Sequence, residues 1–269
     1  MTGPTYLQFH LAFLVPAMLF MTATAFVSRS RRRTPGIRRV DAGRTYWFGV
    51  GIVTVVALAY TTPWDNYLIA TGVWSYAAGS TLATLGNAPV EEYLFIVVQP
   101  WLTALWLAHL SPPREWASPT RPIVSRIGAA TLAAGIGLVG WSMLGTDATF
   151  YLGAILAWAS PVLALQWAVG APQLWDRRRL VALGTFVPAT YLCVADRIAI
   201  EYGIWVLSDR YTTGFAVAGL PIEEATFFLV TNLFVVQGLV LYRWVLDGRA
   251  STEPTVSERS TSSGDPDTA

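Results

Sequence analysis

The sequence contains no lysine, a single cysteine and only two histidines, and charged residues fill just 13% of its 269 positions. A soluble domain carries about 25% charged residues, so an ordinary water-facing surface is excluded. Cys193 lies inside an apolar run, which leaves neither a disulfide framework nor a thiolate metal site. His10 and His109 fall in different apolar runs. Packing is expected of them, and no metal site is expected in the chain. There is no glycine-rich dinucleotide or phosphate loop, no Ser-His-Asp set and no His-rich di-iron box, and no nucleic-acid partner is indicated. A cleavable leader is not expected either, because basic residues follow the first apolar run instead of preceding it.

What the sequence does have is apolar length. Hydrophobic residues make up 54% of it, mean hydropathy is +0.46, and many of the 12 tryptophans sit near the ends of apolar runs. Tryptophan favours that position at a membrane interface. At ~20 apolar residues per span, the pattern predicts seven transmembrane helices, over 6–27, 46–63, 90–110, 127–145, 149–170, 180–196 and 222–245. All 18 positive charges are arginines, and 16 of them fall in the connections 28–45, 111–126 and 171–179 or after residue 242. Seven spans with the N-terminus outside place those segments on one side. Positive charge is retained in the cytoplasm, so that side is the cytoplasm and the expected location is the cell membrane. Arg197 and Arg210 are the outer exceptions. The tail 248–269, rich in Ser, Thr, Asp and Glu, is expected to be disordered and cytoplasmic.

The chain also repeats itself. Thr5-Tyr6-Leu7, Ala12 and Pro16 match Phe150-Tyr151-Leu152, Ala157 and Pro161 at an offset of 145. Asp65, Gly72 and Trp74 match Asp196, Gly203 and Trp205 at 131, and Pro89-Val90-Glu91-Glu92 with Phe95 matches Pro221-Ile222-Glu223-Glu224 with Phe227 at 132. The reading is an all-α integral membrane protein built of two parallel three-helix repeats, 1–111 and 148–247, joined by a linking helix in 112–147. An odd number of spans per unit plus joint gives both units one orientation, related by an axis along the membrane normal.

Each feature has an ordinary reading. Pro-x-Glu-Glu is a common helix start, with proline at the first position and acids against the positive helix end. The tryptophans can be interface anchors. Two observations favour a site. The Asp-to-Glu spacing recurs, as 26 and 27 residues, and the acids border apolar helices, where an ionised carboxylate is costly. Asp196 lies about 24 Å along a helix from Leu180, short of the ~30 Å hydrocarbon core, and so within the membrane near its outer edge. The outer segments 66–88 and 197–219 are too apolar for solvent and are expected to be partly helical lids covered by protein.

The duplicated Asp-x8-Trp followed by Pro-x-Glu-Glu, on a three-plus-one-plus-three helix plan, resembles the lycopene cyclase domain family over residues 5–246. In that family the halves are separate subunits in many bacteria, fused in haloarchaea, and fused further to a phytoene synthase in fungi. The resemblance implies a lycopene β-cyclase, an isomerase that closes lycopene's end groups by way of γ-carotene to β-carotene, in the lipid bilayer and without a cofactor. Other carotenoid enzymes become candidate neighbours. Protonation of the end group at C2 gives a tertiary cation at C1, which the C5=C6 double bond attacks before C6 loses its proton. An alkene is a poor base, so the acid must be strong yet protonated, which paired carboxyl groups in a dry pocket can provide. Asp65, Glu91, Glu92, Asp196, Glu223 and Glu224 are the expected catalytic set, with Trp74, Trp205, Phe95 and Phe227 facing the substrate and stabilising the cation. Arg197 beside Asp196 favours an ionised aspartate, assigning Asp196 as stabiliser and a glutamate of one pair as donor. A proton-coupled membrane transporter remains the alternative.

Overall fold

The computed structural model describes residues 4–31, 43–110, 116 and 122–250. Arg32, Arg33, Arg38, Arg39, Arg114, Arg121 and Arg259, and the tail from Ser251 onward, lie outside the described residues. Seven helices carry the described chain: α1 (6–31), α2 (Arg44–Thr71), α3 (Val90–His109), α4 (Pro122–Met143), α5 (Phe150–Asp176), α6 (Arg178–Glu201) and α7 (Ile222–Ala250). A π-helical turn, His10–Leu14, interrupts α1.

All but α3, six helices in total, are long and apolar enough to cross a membrane. Helix α3 opens on Glu91 and Glu92, and half of its residues are buried, among them Phe95, Gln99, Leu102, Thr103 and Leu105, while Val90 and Leu94 on the opposite side are exposed at 38% and 41%. Most of its surface is therefore covered by protein, with one narrow apolar side left open. A buried hydrogen bond from Thr103 Oγ1 to Asn232 Oδ1, 2.5 Å long, ties it to α7. Helices α4 and α5 pack through small residues: a Cβ on Gly140 would meet Ala157 N at 2.5 Å and Gly153 O at 2.8 Å. Close backbone approach of this kind holds helices together where lipid removes the hydrophobic drive.

Most of the helices run past the ends that their hydropathy indicates, and in two of them this bears on the acids. Helix α2 continues to Thr71 and α6 to Glu201, so Asp65 and Asp196 lie within helices instead of at span ends. Both helices stop at a glycine in the left-handed region, Gly72 at φ 82° and Gly203 at φ 67°. The stop is closed identically in the two places. Val73 N–H bonds Leu68 O and Ile204 N–H bonds Ala199 O, each at 3.0 Å, a bond that satisfies an end carbonyl.

In the outer segments, expected to be partly helical lids, 66–71 and 197–201 are helical, and beyond the glycines come turns and short strands instead of further helix. Strand β1 (Trp74–Tyr76) pairs antiparallel with β4 (Trp205–Leu207), with Trp74 opposite Leu207 and Tyr76 opposite Trp205. Aromatic and β-branched residues favour strands, and pairing satisfies backbone groups that a free loop would leave bare. Two hairpins follow, β2 (Thr84–Leu85) with β3 (Ala88–Pro89), and β5 (Ala216–Val217) with β6 (Leu220–Pro221). Each hairpin leads directly into a Pro-x-Glu-Glu helix start, which sets the first turns of α3 and α7 beneath the β1–β4 ribbon.

Candidate active site

Asp65, Glu92, Asp196 and Glu224 line one cavity of about 50 Å³ together with Trp74, Trp205, Phe95 and Phe227. The acids come from four helices, α2, α3, α6 and α7. Asp65, Asp196 and Glu224 are buried, at 4%, 2% and 8% exposure. The rest of the wall is apolar or aromatic and includes Phe9, Trp64, Leu192 and Phe228. Phe227 stacks on Trp64 with centroids 5.8 Å apart and planes 6° from parallel, and Trp64 in turn stacks on Trp158 at 4.8 Å.

The second glutamate of each pair faces this cavity and receives phenol hydrogen bonds. Tyr6 and Tyr76 both donate to Glu92 Oε2, each at 2.7 Å, and Tyr151 donates to Glu224 Oε1 at 2.8 Å. Burial first, and the nearby Glu92 carboxylate second, hold the Tyr76 phenol well above its ordinary pKa, so it remains a donor. Trp74 Nε1–H donates to Tyr76 Oη at 3.0 Å, whereas Trp205 Nε1–H donates directly to Asp196 Oδ1 at 3.1 Å. Asp65 Oδ2 and Asp196 Oδ2 are buried with no hydrogen-bond partner among the described residues.

The first glutamate of each pair points elsewhere. Successive helical residues diverge by about 100°, so Glu91 and Glu92 cannot both face the cavity. Glu91 Oε1 accepts from Leu82 N–H at 2.8 Å, and Glu223 Oε1 accepts from Thr213 N–H and Thr213 Oγ1, both at 2.7 Å. Each tethers the outer segment that precedes its hairpin.

The same divergence separates Arg197 from Asp196. Arg197 Nη1 pairs with Glu201 Oε2 at 3.0 Å on the exposed side of α6, while Asp196 is buried beside Trp205. The expectation that Arg197 holds Asp196 ionised is therefore corrected. The other outer arginine, Arg210, pairs with Asp147 at 2.7 Å.

Three phenols and one indole complete the site without having been singled out as site residues. Tyr6 and Tyr151 stand in the 145-offset match, so a signal for them was present. Tyr76 has Leu207 at the corresponding position, and Trp64 is adjacent to Asp65 with no mark of its own.

The family profile described as Lycopene cyclase matches residues 5–110 and 148–243. A lycopene beta-cyclase of Halobacterium salinarum is 54% identical over 209 residues, which cover 77% of this chain and 87% of the relative. Bifunctional lycopene cyclase/phytoene synthases of Arthroderma gypseum and Neurospora crassa are 32% and 31% identical over 88% of this chain. The matches cover 41% and 39% of those longer proteins. No solved structure matches the chain. The chain belongs to the lycopene cyclase family.

Proposed function

We propose that this protein is a lycopene β-cyclase that closes the end groups of lycopene to β-rings by acid-initiated, non-redox isomerisation. The observation that carries the reading is the cavity itself: four carboxyl groups, two from each half of the chain, meet within an otherwise apolar and aromatic wall. Four such groups in one dry space cannot all carry charge, so protons are shared among them. A carboxyl proton passes to C2 of the end group, the C5=C6 π electrons close the ring onto C1, and C6 returns a proton to a carboxylate. Atoms and electrons balance within the substrate. Tyr6, Tyr76 and Tyr151 fix the acids to which they donate. Phe95 and Phe227 present aromatic faces to the cation, worth ~1–2 kcal/mol each in a dry site, while Trp74 and Trp205 donate to Tyr76 and Asp196. Glu91 and Glu223 act on the outer loops and not on the substrate. A proton-coupled transporter would use such acids along a polar route, which the aromatic lining does not favour.

The same reading takes α3 as a seventh span, with the N-terminus outside and the C-terminus cytoplasmic in the cell membrane. It takes 1–111 and 148–247 as parallel repeats joined through 112–147. The equal helix stops at Gly72 and Gly203 and the matched bonds Tyr6–Glu92 and Tyr151–Glu224 support the repeat. The fusion to phytoene synthase in fungal relatives supports proximity to other carotenoid enzymes. Expression in a lycopene-producing host tests the function: β-carotene is expected, and unchanged lycopene would remove the reading.

A further inference from the structure

The cavity around the four acids, at about 50 Å³, is far below the ~300–1,000 Å³ of ordinary small-molecule sites. It does not hold an isoprenoid end group, still less the polyene behind it. A second cavity of about 460 Å³ opens between α2, α3, α5 and α7. The two share Asp65, Glu92, Phe95 and Phe227 in their walls, so they adjoin at these side chains, but Asp196 and Glu224 line only the smaller one. The larger cavity is almost entirely apolar. Its mouth is formed by Ile52, Val56 and Leu165, exposed at 43%, 59% and 66%, on helices whose outer surface would face lipid.

Among the described residues, the corresponding space on the other side of α3 and α7 is packed. There Leu14 and Leu192, each 1% exposed, and Phe228 form a packed cluster with Met18 and Met21. The sequence offsets show the exchange: Thr61 of the open side matches Leu192, and Gln166 matches Met21. A bracing bond is kept on both sides, from Tyr60 Oη to Trp158 O at 2.8 Å and from Tyr191 Oη to Phe13 O at 2.7 Å. The frame is thus common to the two sides, and among the described residues one side holds a cavity where the other holds this packed cluster.

We propose that the cavity between α2, α3, α5 and α7 is the single polyene groove of this protein, entered sideways from the bilayer between α2 and α5, and that it brings one end group at a time against Asp65 and Glu92. This rests on the cyclase reading. The end group occupies the inner part of the groove and the remaining chain extends past Ala57 and Gly238 toward the lipid. Asp196 and Glu224 then act behind Asp65 and Glu92, across the small cavity. The occupant is a long apolar polyene because the groove is continuous with the acids at one end and with lipid at the other.

The full chain in lycopene-containing membranes provides the test. If the wild-type protein makes no cyclic product, the cyclase reading fails. If it makes β-carotene, the groove is tested separately. Ala57→Trp, and Val162→Trp from the opposite wall, should each slow cyclisation roughly tenfold or more, equivalent to about 1.4 kcal/mol. Val55→Trp, two residues along α2 at a position 68% exposed, should stay within about twofold of wild type. Occupancy is read directly in a Glu224→Gln background, which leaves the groove lining unchanged. Carotenoid carried by the purified protein should fall about tenfold with Ala57→Trp at an unaltered melting temperature. An Ala57→Trp protein that melts like wild type and still cyclises or carries lycopene normally overturns the proposal. If Ala57→Trp does not accumulate, Gly238→Ala decides, because its added methyl meets Gln166 and Val53 at an ordinary 3.6 Å. A KM for lycopene raised severalfold with kcat nearly constant supports the groove, and an unchanged KM refutes it.

Discussion

The Tyr6 hydroxyl donates a 2.7 Å hydrogen bond to Glu92, joining the first turn of α1 to the first turn of α3 across 86 residues of chain. The π-helical turn at His10–Leu14 follows directly. Such turns are uncommon and gather at functional sites. Tyr151 makes the matching bond to Glu224 at 2.8 Å.

Removing either donor should impair the reaction more than the fold. A hydrogen bond to an ionisable group is worth ~1.5–3 kcal/mol, so Tyr6→Phe and Tyr151→Phe are each expected to lower turnover by roughly ten- to a hundredfold. The ring remains to fill its space, and the unfolding midpoint in detergent should stay near wild type. Glu92 retains Tyr76 as a second donor, so Tyr6→Phe should be the milder of the two. The reverse order of severity would show that the two acids are not held by these phenols alone.

The two glutamates of each pair should separate in a mutant series. Glu92→Gln and Glu224→Gln are expected to stop formation of both rings while the protein still inserts and melts normally. Glu91→Gln and Glu223→Gln should leave the chemistry measurable. They weaken the tethers to Leu82 and Thr213, with a stability loss of ~1–3 kcal/mol. Pigment analysis set beside thermal unfolding of the four proteins checks the split. A dead but stable Glu91→Gln would return Glu91 to the chemistry.

How far the sequence reaches can be judged on these same residues. Spacing alone groups Asp65, Glu92, Asp196 and Glu224, because burying charge in apolar helices is rare enough for its recurrence to be informative. Choosing Glu92 over Glu91 requires the rotational phase of α3 against its neighbours, which neither spacing nor composition carries. Arg197 misleads for the same reason: adjacency in sequence places it about 100° around the helix from Asp196. Gly72 and Gly203 are visible as a matched pair, but their task of ending long helices in the left-handed region emerges only from the backbone. The strands β1 and β4 are three residues each and pair across the two halves, so no local periodicity announces them. Tyr76 reaches Glu92 through that ribbon and has leucine at the corresponding position, which leaves it without any signal in the chain.

Those glycines give a prediction about stability. Apart from the adjoining residues of the chain, nothing among the described residues lies within 4 Å of where a Cβ would sit on Gly72 or Gly203, so Gly→Ala there tests backbone conformation without a clash. The left-handed region costs an L-residue about 1–2 kcal/mol, and each substitution should destabilise the protein by that amount. Gly51 offers the control, since it has equally open surroundings and lies within α2 without a positive φ. Gly51→Ala should be neutral or stabilising by up to about 1 kcal/mol. Denaturant titration of the three proteins in one detergent distinguishes them. Equal effects at all three positions would show that the helix stops do not depend on glycine.

A groove present on one side only also fixes the order of products. Lycopene has two ends, and among the described residues Leu14, Leu192 and Phe228 form a packed cluster where a second groove would be needed for the far end to react while the first is bound. After one ring closes, the half-cyclised molecule must withdraw into the bilayer and enter again reversed. γ-Carotene should therefore accumulate early and disappear late, and its peak should grow with starting lycopene, because uncyclised ends compete for the same entrance. β-Carotene should show a lag that lengthens in the same proportion. The acids give a second check on the same point. With one composite site, Glu92→Gln and Glu224→Gln should each suppress both γ- and β-carotene. If instead one of them halts at γ-carotene while the other makes nothing, or if β-carotene forms without a lag at high lycopene, then each half handles its own end and the one-sided groove is not the route.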